Sequence, residues 1–213
     1  MTTKKNNKKK ITFSKLEILL LIICLVIFSF LASLVVTDNI MWFDNAIYSI
    51  VSKMMCRPMT LFFKNITLLF DTETVIGMLI ALVIFAGNKK WAALVSLNTG
   101  LCVLVNQITK HLFLRPRPVG IALIKQGGYS FPSGHSMISF AFIGLFIYMI
   151  LCSKTSKGKK ILFSSILGLL ILIIGTSRIY LGVHFASDVL AGFALSCAYL
   201  ILFIKLIYKK IGN

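Results

Sequence analysis

Three short segments of this chain hold the residue types that phosphate chemistry needs. In Ser177-Arg178-Ile-Tyr-Leu-Gly182-Val-His184-Phe-Ala-Ser-Asp188, the histidine and aspartate are four positions apart. On a helix they would share a face, and a carboxylate bonded to one imidazole nitrogen leaves the other free as a nucleophile or a base. In Tyr129-Ser-Phe-Pro132-Ser133-Gly134-His135-Ser136, a turn runs into an apolar stretch. Free N–H groups at a helix start attract anions, Gly134 allows a close backbone approach, Ser133 adds a hydroxyl, and His135 can exchange a proton near neutral pH. In Lys110-His-Leu-Phe-Leu-Arg115-Pro-Arg117-Pro118, the prolines stop a helix and gather three cations near its end. Arg117 offers a planar fork suited to phosphate oxygens, and Lys110 a point charge. Each segment also has a plainer reading: basic side chains snorkelling to an interface, an N-capped helix, a structural His–Asp bond. All three plainer readings would have to hold together.

The elements that must position these residues are membrane spans. The 213 residues are 58% hydrophobic and only 14% charged, against about a quarter charged in soluble domains, and the mean hydropathy is +0.91. Disorder is excluded by that composition. The five cysteines are odd in number and lie mostly in apolar runs, which argues against a disulfide scaffold and predicts small buried residues. A span needs about 20 apolar residues. Six stretches qualify, over about 16–36, 66–88, 91–112, 135–153, 161–178 and 187–207, with Asp71 and Glu73 expected at an interface. The fold class is therefore all-α: a polytopic six-helix bundle over 16–213 behind a basic tail over 1–15. The N-terminal basic run followed by a span-length apolar run reads as an uncleaved first span.

The charge of +17 would suggest nucleic acid in a soluble protein. Its distribution points instead to orientation in a membrane. With the N-terminus in the cytoplasm, 15 Lys and Arg fall inside and 8 outside, which favours both termini inside and no nucleic-acid partner. Four of the outer cations, Lys110, Arg115, Arg117 and Arg178, sit near His135 and His184, against the bias, so an anionic ligand is expected on the extracytoplasmic side. The outer connector over 37–64 holds an amphipathic stretch from Trp42 to Met55, read as an interfacial helix rather than a lid or lipid gate. No spacing suits a metal site.

At these residues the chain resembles the type 2 phosphatidic acid phosphatase superfamily of membrane lipid phosphatases. That pattern is a Lys, six residues and Arg-Pro; then Pro-Ser-Gly-His; then Ser-Arg, five residues, His, three residues and Asp. It is matched in order and spacing by Lys110…Arg117-Pro118, Pro132-Ser133-Gly134-His135 and Ser177-Arg178…His184…Asp188. More narrowly, the chain is similar to small bacterial phosphatidylglycerophosphatase B-type enzymes, whose relatives include enzymes acting on undecaprenyl diphosphate. The resemblance implies an enzyme that needs no cofactor or metal, and the basic N-terminus fits the plasma membrane of a bacterium. It implies that His184 attacks phosphorus and forms a phosphohistidine, that Asp188 orients His184, and that His135 protonates the leaving group and then activates water. Lys110, Arg117, Arg178, Ser133 and Gly134 would bind the phosphoryl oxygens. The substrate would be phosphatidylglycerol phosphate, undecaprenyl diphosphate or phosphatidate. The competing readings are a lipid head-group carrier, which the absence of internal repeats disfavours, a vanadate-dependent haloperoxidase, which the spans disfavour, and an inactive lipid-binding relative. His111 matches no motif position and is expected to be interfacial or supporting.

Overall fold

A computed structural model describes residues 12–208. Residues 1–11 of the basic tail expected over 1–15, and Lys209 and Lys210 at the other end, lie outside these residues, while Lys15 already opens the first helix. Among the described residues every regular element is helical: α1 (Lys15–Val36), α2 (Met41–Ser52), α3 (Arg57–Thr67), a 3₁₀ turn (Leu68–Phe70), α4 (Thr72–Phe85), α5 (Lys89–Phe113), α6 (Gly134–Cys152), α7 (Lys157–Tyr180), α8 (Ala186–Phe203) and a closing π turn (Ile204–Tyr208).

The first helix shows how the sequence writes a span. Ser14 and Glu17 form a reciprocal capping box, with Glu17 N–H donating to Ser14 Oγ at 3.2 Å and Ser14 N–H to Glu17 Oε2 at 2.7 Å. Its 22 residues reach about 33 Å, enough for a bilayer core. Only Cys24, Leu31 and Ala32 are buried, while most of its other leucines and isoleucines face outward. A helix that exposes its apolar side chains is built for lipid.

Five helices are long and apolar enough to cross a membrane, and a bent pair supplies the material for a sixth crossing. That pair departs from the sequence expectation. In place of one span over 66–88, Arg57–Phe70 and Thr72–Phe85 meet at a 50° bend. The break falls at Asp71, whose extended backbone (ψ 153°) ends one helix and begins the next. An ionised group in mid-helix would face hydrocarbon at a cost of a few kcal/mol. The bend instead turns Asp71 toward His135 at the start of a later helix.

α8 lies between α1 and α6, and α6 is flanked by α5 and α7. Lipid offers no hydrophobic drive for helices to meet, so small residues and polar bonds join them. α8 buries Ala191, Gly192, Ala194, Ser196 and Ala198. A Cβ on Gly192 would stand 3.0 Å from Ser133 O and 3.1 Å from Ser136 Cβ, so only hydrogen fits comfortably where α8 crosses α6. Asn98 donates to Ala141 O at 2.8 Å, Ser196 to Met137 O at 2.9 Å and Tyr199 to Asn98 O at 2.7 Å. At the far end Lys205 pairs with Glu17 at 2.6 Å and ties the last turn to α1.

The cysteines only partly match their expected burial. Cys24 and Cys102 are buried, Cys197 is intermediate, and Cys56 and Cys152 are exposed; all five are free thiols. Cys56 precedes α3 in a connector and Cys152 ends α6, so neither lies within a packed helix face.

The amphipathic connector forms α2, with Trp42 72% exposed but Asp44 only 2% exposed. One turn governs where the third segment goes. Gly182 has φ +67°, and a Cβ there would lie 2.3 Å from Ile121 O. Gly182→Ala therefore combines a left-handed strain with a backbone clash and should lower stability by about 2 kcal/mol or more. Thermal unfolding in detergent checks this against Gly77→Ala, where nothing lies within 4 Å and no loss is expected.

Candidate active site

All three segments converge at one end of the bundle. α5 stops when Leu114 turns left-handed (φ 50°), and Pro116 and Pro118 prevent its resumption. The second segment is fixed by Phe131, which is fully buried with ring centroids 5.8 Å from Phe28 and 4.9 Å from Phe113. Its last residue before α6, Ser133, donates its N–H to Asp188 O at 3.0 Å, which joins it to the third segment.

His184 and Asp188 do meet, though not along one helical face. α8 begins at Ala186, so His184 stands in the turn before it. Asp188 lies in the first turn and reaches back, accepting from Phe185 N–H at 2.9 Å as a capping acid does. The same oxygen, Oδ2, is 3.4 Å from His184 Nδ1. On the opposite side of the ring, Arg117 NH1 is 3.0 Å from Nε2. A guanidinium can only donate. Nε2 must therefore be the lone-pair nitrogen, and Nδ1 carries the proton toward Asp188. Burial pushes the His184 imidazole down to about 3 against the pull of Asp188, so the ring is neutral at physiological pH.

Asp188 is completely buried and surrounded by donors. Arg115 NH1 donates to its Oδ1 at 2.7 Å, and Ser130 Oγ donates to its Oδ2. Arg115 NH2 reaches Asp44 Oδ2 at 2.7 Å, and Asp44 also accepts from Ser187 N–H and Oγ, both at 2.8 Å. The Arg115 guanidinium covers the Phe185 ring at 4.1 Å. The interfacial helix α2 is thus pinned to the start of α8 through one buried ion-pair triad. In the sequence Arg115 reads only as an outer cation, and nothing at Asp44 or Ser130 marks either as a partner of the site. Acid scarcity was the available signal: the chain has six Asp and Glu, and Asp44, Asp71 and Asp188 all end up here.

The remaining candidates divide into two groups. Lys110, Arg117, Gly134, His135 and His184 line a cavity of about 250 Å³. Lys110 Nζ donates to Tyr129 O. Arg117 Nε faces Gly127 O and Gly128 O at 3.1 and 3.0 Å, and NH1 donates to Val183 O at 2.8 Å. Burial lowers the proton affinity of Arg117 and Asp188 raises it. Arg178, fully buried, donates to Thr67 Oγ1 and to Gln126 Oε1 at 2.7 Å, with its Nε unpartnered among the described residues. Ser133 is buried and caps α6, accepting from Ser136 N–H at 3.4 Å and Ser136 Oγ at 2.9 Å. Its hydroxyl, expected to bind phosphate, is directed into the helix start. His135 Nε2 is 2.7 Å from Asp71 Oδ1, so Asp71 is no mere interfacial charge. His111 also lines the cavity, with Nδ1 donating to Gln107 O at 2.8 Å and its ring edge-on to Tyr129. Among the described residues no cluster of three or more His, Cys, Asp or Glu could hold a metal ion.

A neutral imidazole of fixed tautomer, a second histidine on a carboxylate, three cations and a helix N-terminus form an arrangement suited to phosphoryl transfer, which asks mainly for positioning and charge stabilisation. Fold and site together define a polytopic membrane protein with histidines, carboxylates and cations gathered at one end of its helical bundle. Residues 89–211 match the PAP2 superfamily, and the chain belongs to that family. It is 38% identical over 114 residues to phosphatidylglycerophosphatase B of Bacillus subtilis, covering 52% of this chain; the match spans about half, 56%, of that relative. Its fold resembles the crystal structure of a transmembrane PAP2-type phosphatidylglycerolphosphate phosphatase from Bacillus subtilis, with TM-score 0.78, 26% identity, 89% of this chain and 96% of that one covered. It also resembles Aquifex aeolicus LpxE, with TM-score 0.59, 25% identity and 75% and 93% covered.

The triad makes a prediction. Arg115→Met leaves two buried carboxylates without their shared cation and should destabilise the protein by about 3–5 kcal/mol. Adding Asp44→Asn should recover part of that loss. Unfolding midpoints of the single and double variants in one detergent check both outcomes.

Proposed function

We propose that this protein is a membrane lipid phosphatase that transfers the phosphoryl group to His184 and then to water. The observation carrying this reading is the His184 ring, neutral, with its Nε2 lone pair on the Arg117 side and its Nδ1–H toward buried Asp188. That is the state a nitrogen nucleophile needs.

In the proposed reaction, a phosphoryl group entering the cavity draws Arg117, Lys110 and Arg178 onto its oxygens, with the Gly134 N–H at the start of α6. Moving Arg117 onto phosphate uncovers Nε2. Nε2 attacks phosphorus as the bond to the lipid oxygen breaks, and His135 gives that oxygen a proton. Asp188 stays ionised and stabilises the charge on the His184 ring. His135 then takes a proton from water as water attacks phosphorus, the P–N bond breaks, and phosphate leaves. Ser133 supports this by shaping the helix start.

The substrate class is a lipid ending in a phosphomonoester or diphosphate: phosphatidylglycerol phosphate, undecaprenyl diphosphate or phosphatidate. The names of the Bacillus subtilis relatives favour the first. We place the site on the extracytoplasmic side of a bacterial plasma membrane, with both termini in the cytoplasm. Lys15, Lys89, Lys90, Lys154, Lys157, Lys159, Lys160 and Lys205 gather at helix ends away from the site, as the positive-inside rule asks.

The test is phosphate release by detergent-solubilised protein with excess chelator, on those three lipids and a water-soluble phosphomonoester. Release that falls by roughly a thousandfold or more in His184→Ala, with unfolding unchanged, is expected. No release from any lipid by folded protein would overturn the reading and leave head-group binding or transport.

A further inference from the structure

Asp71 belongs to no motif, yet it makes the shortest contact that His135 has. The residue sits at the 50° break between the 3₁₀ turn and α4. It occupies the N-cap of α4, where an aspartate ordinarily accepts from the first helical N–H groups. Here its side chain makes no capping bond and is directed to His135 Nε2 at 2.7 Å. Four residues earlier, Thr67 accepts from Arg178. Thr67 and Asp71 thus reach two separate site residues from the two sides of the bend.

We propose that Asp71 is the positioning residue of His135: it holds Nε2, fixes the ring, and leaves Nδ1 to exchange the proton with the substrate. The proposal rests on the phosphatase reading above. Among the described residues no protein group bonds His135 Nδ1, and the ring lines the cavity. In the first step the Nδ1 proton passes to the leaving lipid oxygen as the P–O bond breaks. In the second, Nδ1 takes a proton from water as oxygen bonds phosphorus and the P–N bond to His184 breaks. Asp71 remains a carboxylate throughout.

The protein would then contain two histidine–carboxylate pairs with opposite settings. The Asp188 side chain is 0% exposed and bound by several donors, whereas the Asp71 side chain is 37% exposed. The His184 ring keeps one tautomer as it attacks. His135 must pass between imidazolium and imidazole in every turnover. A carboxylate screened by solvent stabilises the imidazolium only modestly, so the ring can return to imidazole within each cycle. The other charged or titratable groups around His135 are Arg178 from α7, Lys110 and His111 from α5, Arg117 and Tyr129 from the segment between α5 and α6, and His184 before α8. Arg178, Arg117 and Lys110 carry positive charge, and Asp71 is the carboxylate set against them.

The experiment compares two leaving groups. A lipid alkoxide needs a proton to depart, whereas p-nitrophenolate does not. With Asp71→Asn, kcat/KM for a lipid phosphate should fall roughly 10- to 100-fold, as for weakened general-acid catalysis. For p-nitrophenyl phosphate it should change by less than about threefold. The ratio of the two values does not depend on how much protein is folded, and Asp71→Ala should show the same ratio. The alkaline limb of the lipid profile should move to lower pH by about one unit, since removing an adjacent negative charge disfavours the imidazolium. Asp71→Glu should restore part of the lipid activity. Equal losses on both substrates, no loss, or an unmoved alkaline limb would overturn the proposal. Wild-type protein inactive on every phosphate would instead defeat the phosphatase reading itself, so the two failures are distinct.

Discussion

A carboxylate buried among apolar helices is costly unless donors surround it, and the architecture around Asp188 follows from that requirement. Asp188 receives Arg115, Ser130, the Phe185 N–H and His184. Arg115 then needs a second anion, which Asp44 supplies from α2. Asp44 in turn accepts the Ser187 N–H and hydroxyl at the start of α8. The chain of mutual satisfaction draws the interfacial helix, the end of α5 and the start of α8 onto one point. His184 inherits its orientation from it.

The same economy of charge shapes the rest of the site. Lys110, Arg117 and Arg178 are three like charges gathered where lipid surrounds the protein, and they are held by neutral oxygens: Tyr129 O, Gly127 O, Gly128 O, Val183 O, Thr67 Oγ1 and Gln126 Oε1. Carbonyl dipoles stabilise these cations without neutralising them. The centre therefore keeps a net demand for an anion. The flanking turn from Gln126 to Tyr129 occupies donors that a phosphate would use, so binding exchanges one set of oxygens for another.

Periodicity and length in the sequence were enough to foresee an all-helical bundle, because spans are long and lipid allows little else. The three motifs were legible because each concentrates polar residues in a few positions, and the structure brings them to one end. What escaped was non-local. Asp44 lies 144 positions from Asp188 in a different helix, and nothing at its own position signals a partner. Asp71 interrupts an apolar run and was assigned to an interface, since a break that turns a side chain inward looks the same in sequence as one that turns it out. The His184–Asp188 spacing was read as one face of a helix; the pair forms across a helix start instead, because Asp188 caps α8. Ser133 shows the same local competition, its hydroxyl capping α6 rather than facing the cavity.

The proposed reaction passes through a covalently phosphorylated His184. The direct measurement is to mix the wild-type protein with a ³²P-labelled lipid phosphate, quench within a turnover under alkaline denaturing conditions, and locate the label by peptide mass spectrometry. An acid-labile, alkali-stable phosphoryl group on the peptide carrying His184 is the expected result, absent from the His184→Ala protein. Sustained hydrolysis with no label on the chain, or label on any residue other than His184, would contradict it.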